Sequence, residues 1–189
     1  LGCRRAARRL GCQVVSQPGG RRAGRVMLVL AWGIGILLAT RFFADWEQSR
    51  FNPNQQPVSH VGSGHIEVLL ESNVQGHFVA SGRINGEAVV FLLDTGATDV
   101  AIPAEVASKL GLERGAPILL QTANGQTTGY RTVLDSLSIG DIVLRDVRAI
   151  VAPGFDSEQI LLGMSALKQL EFTQRAGTLV LRQHATDRP

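Results

Sequence analysis

The chain has 189 residues and a hydrophobic content of 44%, which is enough for one folded domain and an additional segment. Its charges are segregated: residues 1–44 contain eight arginines and no acidic residue, whereas residues 45–189 contain 11 basic and 16 acidic residues, a net charge of −5. The domain therefore lacks the basic excess that nucleic-acid binding requires. Its stability does not depend on disulfides, since both cysteines, Cys3 and Cys12, lie in the basic tail, residues 1–25.

An apolar segment follows this tail. Residues 26–40 contain no charged side chain and would form a helix of roughly 22 Å. The next residues lengthen it to about 28 Å if Arg41 extends toward the headgroups, close to the thickness of a bilayer core. Trp46 would then lie at the membrane interface, and the upstream arginines predict a cytoplasmic N-terminus.

Two alternatives to a permanent anchor are a cleaved signal peptide and a buried core helix. Signal cleavage requires small residues before the cut, and the positions that matter here are occupied by Phe42 or Leu37. We therefore expect an uncleaved transmembrane signal anchor at residues 26–44. The predicted location is the inner membrane, in a single pass, with the domain on the periplasmic side. Residues 45–64 are polar and contain two prolines, which predicts a linker.

From residue 65 onward, short apolar runs alternate with turn residues. The first runs predict strands at residues 65–71, 75–84 and 87–93, the last two joined by a hairpin turn at Asn85-Gly86. Residues 89–93 are apolar throughout, which predicts a strand buried on both faces. Pro103 and Gly111 then bound a short helix.

Short apolar runs separated by turn residues continue through the second half of the domain. Strands are predicted at residues 118–122 and 127–137 around a turn at Asn124-Gly125, then at residues 142–151, 160–162 and 178–182, with a second short helix at residues 164–170. Residues 184–189 form a C-terminal tail. Many short strands with two small helices predict a mostly β barrel or sandwich.

One motif in this pattern carries chemistry. Asp94, Thr95, Gly96, Ala97 and Thr98 directly follow the predicted buried strand. A carboxylate at the end of a rigid apolar strand is held in place. Gly96 permits a sharp turn and the close approach of another chain, and the Thr95 hydroxyl can form a hydrogen bond across to a partner. Three residues alone are a weak signal, and their neighbourhood strengthens it.

The sequence resembles the retropepsin-like aspartic peptidases, in particular bacterial members with one N-terminal membrane segment. The resemblance covers residues 65–183 and is carried by FLLDTGAT, VAIPAEVASKLGL, TANG, LDSLSIGDI and ILLGMSALKQLEF. It implies a small closed barrel-like acid-protease fold with two short helices. It also implies that Asp94 is catalytic and that Thr95 links the two active-site loops of a dimer. A flap around Thr122, Ala123, Asn124 and Gly125 would cover the substrate.

The chain departs from the viral members of the family at two positions. Viral enzymes often pair an acidic residue after the motif with an arginine near the late glycine, and Thr98 and Met164 occupy those positions here. Because both partners are replaced together, no charge is left unpaired. The departure concerns the grip on the substrate backbone and leaves the catalytic carboxylate unaffected.

The chemistry of the family requires two carboxylates that share a proton. The chain has one Asp-Thr-Gly motif and a domain of about half the size of a two-lobed enzyme. The second carboxylate is therefore expected from an identical chain in a homodimer. No metal or cofactor is expected, because the four histidines show no ligand spacing, and Gly163-Met164-Ser165 is interpreted as a helix start rather than a nucleophile turn. The predicted function is an endopeptidase acting on proteins or peptides. An inactive membrane-tethered dimerisation or peptide-binding module of the same fold is the alternative.

Overall fold

The protein was analysed as a computed structural model, which describes residues 20–122, 125–155 and 157–184. The predicted tail residues 1–19, the flap residues Ala123 and Asn124, and residues 185–189 lie outside the described residues. From Asp45 onward the chain forms a compact unit of its own. The described residues contain three helices, α1 at Gly20–Phe51, α2 at Ala104–Lys109 and α3 at Met164–Leu167.

Helix α1 includes the predicted anchor and extends beyond it on both sides. Residues Ala23–Phe51 are long enough and apolar enough to cross a membrane. Large apolar side chains such as Met27, Trp32 and Leu38 are exposed along it, which agrees with a helix whose surroundings are lipid.

The rest of the described chain is mostly β. Its eleven strands are β1 Val58–Gly62, β2 His65–Glu71, β3 Val79–Ile84, β4 Glu87–Leu93, β5 Val100–Pro103, β6 Pro117–Thr122, β7 Gly125–Ile139, β8 Ile142–Ala152, β9 Ile160–Leu162, β10 Glu171–Arg175 and β11 Thr178–His184. They form a four-stranded sheet in the order β1-β2-β11-β10 and a seven-stranded sheet in the order β3-β4-β9-β5-β8-β7-β6. Because β3 also pairs with β7, the larger sheet closes on itself, and the predicted barrel-like fold is confirmed.

The core lies between the two sheets. In the strands that face the core, alternate residues are buried, including Phe91, Ile102, Leu134, Ile160 and Leu181. The predicted hairpin turn between β3 and β4 is confirmed: Asn85 and Gly86 both have positive φ, 50° and 87°, as a two-residue turn of this type requires.

Three strand predictions were wrong in detail. The predicted linker contains β1, which pairs with β2, and β10 was not predicted. The strand expected from residue 75 begins at Val79, because the Asn73 side chain accepts hydrogen bonds from the Gln75 and His77 amides, 2.9 and 3.0 Å, and closes a turn. The prediction that β4 is buried on both faces was also wrong. Only Phe91 in β4 is fully buried, and Val90 and Leu92 are half-buried.

The ordered start of the domain depends on two buried asparagines. Asn54 donates to the backbone oxygens of Glu71 and Val79, 2.8 and 2.7 Å, and accepts from the Glu71 amide at 2.7 Å. Asn52 donates to the Ser81 hydroxyl at 3.0 Å. These bonds hold the segment before β1 against the ends of β2 and β3, which a polar linker pattern did not indicate.

Candidate active site

Asp94 lies where two parallel strands end side by side. It follows β4, which pairs in parallel with β9 through Leu93 and Leu162. The Asp94 amide donates to the Leu162 backbone oxygen at 3.2 Å, so the residue that follows β4 is still bound to the end of β9. The residue is half-buried, and its carboxyl group is therefore both fixed and accessible.

The Asp-Thr-Gly loop folds back on this carboxylate. The Gly96 amide donates to the side-chain oxygen Oδ1 of Asp94 at 2.8 Å. The Ala97 amide donates to the backbone oxygen of Asp94 at 3.2 Å. A Cβ on Gly96 would lie 3.1 Å from Asp94 Oδ1, a tight contact that glycine avoids. Thr95, Gly96 and Thr98 are exposed, and Ala97 is half-buried, so the loop presents an open surface beside the carboxylate.

The start of α3 clamps the far side of this loop. The Met164 and Ser165 amides donate to the oxygens of Ala97 and Thr98, 2.8 and 2.9 Å. Gly163 precedes them in extended conformation, and a Cβ there would lie only 2.3 Å from the Asp99 oxygen and 2.7 Å from the Ala97 oxygen. The glycine therefore allows the helix to approach the loop closely.

Ser165 is a structural residue of this clamp. Its hydroxyl donates to the Arg148 oxygen at 2.7 Å and accepts from the Val100 amide at 3.0 Å. The side chain is buried, 3% exposed, and it joins α3 to β5 and β8. The interpretation of this segment as a helix start is consistent with this geometry, although α3 ends at Leu167 and is shorter than predicted.

A charged pair beside the loop was not predicted. Arg148 of β8 lies 3.4 Å from Asp99 Oδ1, which is otherwise buried without a hydrogen-bond partner. The ion pair thus provides the compensating charge for an oxygen that solvent does not reach. Sequence reasoning could not find it, since the two residues lie on different strands and neither belongs to a motif.

A row of apolar side chains borders Asp94 on the face of the large sheet that points away from the core. Strand register places Leu92, Leu161, Ala101 and Ile150 side by side across β4, β9, β5 and β8. Each is half-buried, whereas its neighbours in sequence fill the core. The alternation along each strand identifies this row, and the continuous apolar run of β4 concealed it at the sequence level.

The β6–β7 hairpin, which contains the predicted flap, lies on the same sheet. Thr122 and Gly125 are paired across the hairpin, and Gly125 has a φ of 108°. A Cβ on Gly129 would lie 2.5 Å from Leu120 Cδ1 and 3.0 Å from Ile150 Cγ2, so the hairpin packs against one end of the apolar row. The described residues contain no cluster of three side chains able to hold a metal ion.

Comparisons with known proteins agree with this geometry. Residues 80–169 match a family described as gag-polyprotein putative aspartyl protease. The crystal structure of a retropepsin-like aspartic protease from Rickettsia conorii matches with a TM-score of 0.54 and 31% identity, covering 68% of this chain and 96% of that one.

Two uncharacterised bacterial proteins also match. One, from the cobV 5′ region of a Sinorhizobium species, is 35% identical over 134 residues, which are 69% of this chain and 58% of that protein. The other, from Rickettsia prowazekii, is 31% identical over 149 residues, 77% of this chain and 62% of that protein. The matches thus span less than two thirds of either relative. This chain is 31% identical to the solved Rickettsia conorii protease and covers 96% of that protein. The match shows that this chain belongs to the retropepsin-like aspartic peptidase family.

Proposed function

We propose that the protein is an aspartic endopeptidase that works as a homodimer, with Asp94 of each chain as the two catalytic carboxylates. The observation that carries the proposal is the position of Asp94, fixed at the ends of β4 and β9 in a clamped loop and accessible beside an apolar row. Asp99 is the other carboxylate near the loop, and its ion pair with Arg148 gives it a structural role.

Two carboxylates held about 3 Å apart cannot both ionise, and they share one proton. The ionised Asp94 takes a proton from a water molecule, which then attacks the scissile carbonyl carbon. The protonated Asp94 of the other chain donates to the carbonyl oxygen, and a tetrahedral diol forms. The Asp94 that donated its proton then takes one from a diol hydroxyl, and the Asp94 that took the water proton donates it to the leaving nitrogen. The C–N bond breaks, and the dyad returns to its starting state with one shared proton.

The surrounding residues would bind the substrate. The loop residues Thr95 to Thr98 would form the floor of the binding site, and Thr95 would contact the second chain. Leu92, Leu161 and Ala101 offer an apolar surface to substrate side chains. The hairpin residues 122–125 would close over the peptide. The substrate class is therefore an extended protein or peptide segment with apolar side chains near the scissile bond.

The proposed location follows from α1 and from the arginines before it. A single-pass anchor in the inner membrane, within residues 26–44, would leave residues 1–25 in the cytoplasm and the peptidase domain, residues 65–183, in the periplasm. A reporter fused after residue 60 that is active only outside the cytoplasm is expected to be active. If a reporter that works only in the cytoplasm were active at this position, the proposed orientation in the membrane would be wrong.

Substitution of the proposed catalytic residue tests the function directly. Asp94→Asn keeps the size of the side chain and removes its ability to exchange a proton. We expect cleavage of a peptide library to fall by at least about a hundredfold, with unchanged circular dichroism. Asp135→Asn, at an exposed aspartate of β7, is the matched control and should cut normally. A folded Asp94→Asn protein that cuts at the original rate would refute the proposal, and a wild-type chain without any cleavage would favour the binding-module alternative.

A further inference from the structure

The residues next to the apolar row, on the same outer face of the large sheet, form a second row that carries charges. Continuing the strand register by one or two residues places Asp94, Gly163, Asp99 and Arg148 beside one another at β4, β9, β5 and β8. Only Gly163, which has no side chain, lies between the two aspartates. The candidate catalytic carboxylate therefore shares its row with the ion pair of Asp99 and Arg148.

Asp99 depends on Arg148 for compensation of its charge. The Oδ1 atom of Asp99 is buried and accepts no hydrogen bond from the described residues. The Arg148 guanidinium lies 3.4 Å from this atom. A buried carboxylate that loses such a partner moves toward water or takes up a proton. Loss of the arginine would therefore displace Asp99 or neutralise it.

The backbone of Asp99 is in contact with the groups that hold the active-site loop. Its oxygen fills the space beside Gly163, where a Cβ would lie 2.3 Å away. Thr98 and Val100, the residues on either side of it, are both bound to Ser165. The Ser165 amide donates to the Thr98 backbone oxygen at 2.9 Å, and the Ser165 hydroxyl accepts from the Val100 amide at 3.0 Å. A displacement of Asp99 would thus move the loop and the start of α3 together.

Arg148 contacts the same groups a second time, through its backbone. Its backbone oxygen accepts a hydrogen bond from the Ser165 hydroxyl at 2.7 Å, while its side chain pairs with Asp99. Arg148 is therefore bound both to the helix that clamps the loop and to the residue at which the loop ends. Its side chain is 65% exposed, so packing in the core does not account for an arginine at this position.

We propose that Asp99 and Arg148 are positioning residues for Asp94. Their ion pair fixes the end of the active-site loop and, through the loop, the direction of the Asp94 carboxylate. The inference rests on the proposed peptidase function, in which neither residue transfers a proton. A displacement of a catalytic group by about 1 Å can lower the rate on the order of a hundredfold, so a small movement of the loop is enough to impair cleavage.

Removal of one charge and then of both tests the pair. In Arg148→Gln the buried oxygen of Asp99 loses its partner, and we expect kcat to fall at least about tenfold. KM should change less than about threefold, because the apolar row that would bind the substrate is intact. The double variant Asp99→Asn with Arg148→Gln no longer contains the uncompensated carboxylate. It should be more active than Arg148→Gln alone, with Asp99→Asn completing the cycle.

The matched control is Arg145→Gln, at an exposed arginine of the same strand that has no ion pair among the described residues. It should cut peptides normally. All variants are compared as full chains in detergent, well below their unfolding temperatures, so that loss of folded protein does not lower kcat. An unchanged kcat in Arg148→Gln, or a double variant whose loss equals the product of the two single losses, would overturn the proposal.

Hydrogen–deuterium exchange of the loop separates this inference from the proposed function, because it does not require cleavage. The Gly96 and Ser165 amides donate hydrogen bonds within the clamped loop, and Arg148→Gln should speed their exchange at least about threefold, whereas Arg145→Gln should not. If the wild-type chain cuts no peptide and exchange is faster in Arg148→Gln, the peptidase function fails and the positioning of the loop stands. If the wild-type chain cuts peptides and Arg148→Gln changes neither exchange nor kcat, the function stands and the positioning pair is refuted.

Discussion

Gly163, beside the candidate site, is the position there with the least room for an added side chain. The space for a side chain there is filled by two backbone oxygens, which cannot rotate away as a side chain can. The active-site loop and α3 approach each other because this position has no Cβ. On the proposed function, the geometry of the catalytic loop thus depends on a residue that takes no part in the chemistry.

Substitution of Gly163 by alanine should therefore affect both stability and activity. The added methyl group has to displace the loop or the helix, which costs about 1–3 kcal/mol of unfolding free energy and moves Asp94. Denaturant unfolding and peptide cleavage measure the two effects. Gly62→Ala is the control, because the Cβ there meets the end of the His65 side chain, which can move. Equal unfolding free energies for the two variants would show that the clamp tolerates displacement.

At the scale of single elements, Asn54 makes three of the hydrogen bonds that hold the segment before β1. Asn54 is 5% exposed, and its amide group satisfies three backbone groups of β2 and β3. Asn54→Ala leaves those groups without partners, and we expect a loss of about 2–4 kcal/mol of unfolding free energy. Gln55→Ala, next to it and exposed, should have little effect. Similar denaturation midpoints for both variants would mean that water replaces the amide.

Arg182 of β11 forms ion pairs with Glu67 of β2 and Glu171 of β10 across the four-stranded sheet, and these ion pairs predict a response to acid. The hydrogen bond from Arg182, assisted by its positive charge and by those of His65 and His60 when protonated, holds the pKa of Glu67 below its ordinary value of 4.5, against the opposing effect of burial. Because the pKa is lower in the folded state, the ionised carboxylate stabilises the fold above the ordinary pKa. This contribution is lost as the pH falls through the folded pKa.

Glu67→Gln should consequently reduce the unfolding free energy at pH 6, and the deficit should shrink as the pH falls below 4.5. Urea denaturation at several pH values measures it. Glu113→Gln, at an exposed glutamate without an ion pair among the described residues, should show no such trend. A deficit that is constant with pH would assign the effect of Glu67→Gln to packing instead of charge.

Sequence reasoning predicted the elements that have a strong local pattern. The bounds of β2, β4 and β9 agree with the predicted strands, because each is an apolar run between turn residues. Strands β1 and β10 were missed, since edge strands with exposed side chains carry no hydrophobic alternation. Their conformation is imposed by the neighbouring strand.

The same distinction applies to the candidate site. The Asp-Thr-Gly motif is local, and the position of Asp94 at a strand end could be predicted from it. The hydrogen bond between Ser165 and the Val100 amide joins residues 65 positions apart, and the Asp99–Arg148 pair joins a loop to a distant strand. No local pattern specifies such contacts, and they become visible only when β5, β8 and α3 are brought together.

At the scale of the whole molecule, the proposed anchor and the proposed active site shared by two chains together predict an effect of concentration. Two chains in one bilayer have a higher effective concentration than two chains in solution. The full chain in liposomes at fixed lipid ratio should keep its activity per chain when the sample is diluted. A chain lacking residues 1–44 should lose activity on dilution as its dimers dissociate. Identical dilution curves would show that the anchor does not assist pairing, and a soluble monomer with constant activity would contradict the shared site.

The clamp on the active-site loop also has a consequence for synthesis on the ribosome. Asp94 leaves the ribosome well before Gly163, Met164 and Ser165, which hold its loop in place. Because domains fold as units during translation, a nascent chain carries the motif for some time without the segment that shapes it. Strand β10, which follows α3, emerges later still. On the proposed mechanism, the order of translation keeps the growing chain inactive, and neither its own newly made segments nor its neighbours are cut before the domain is complete.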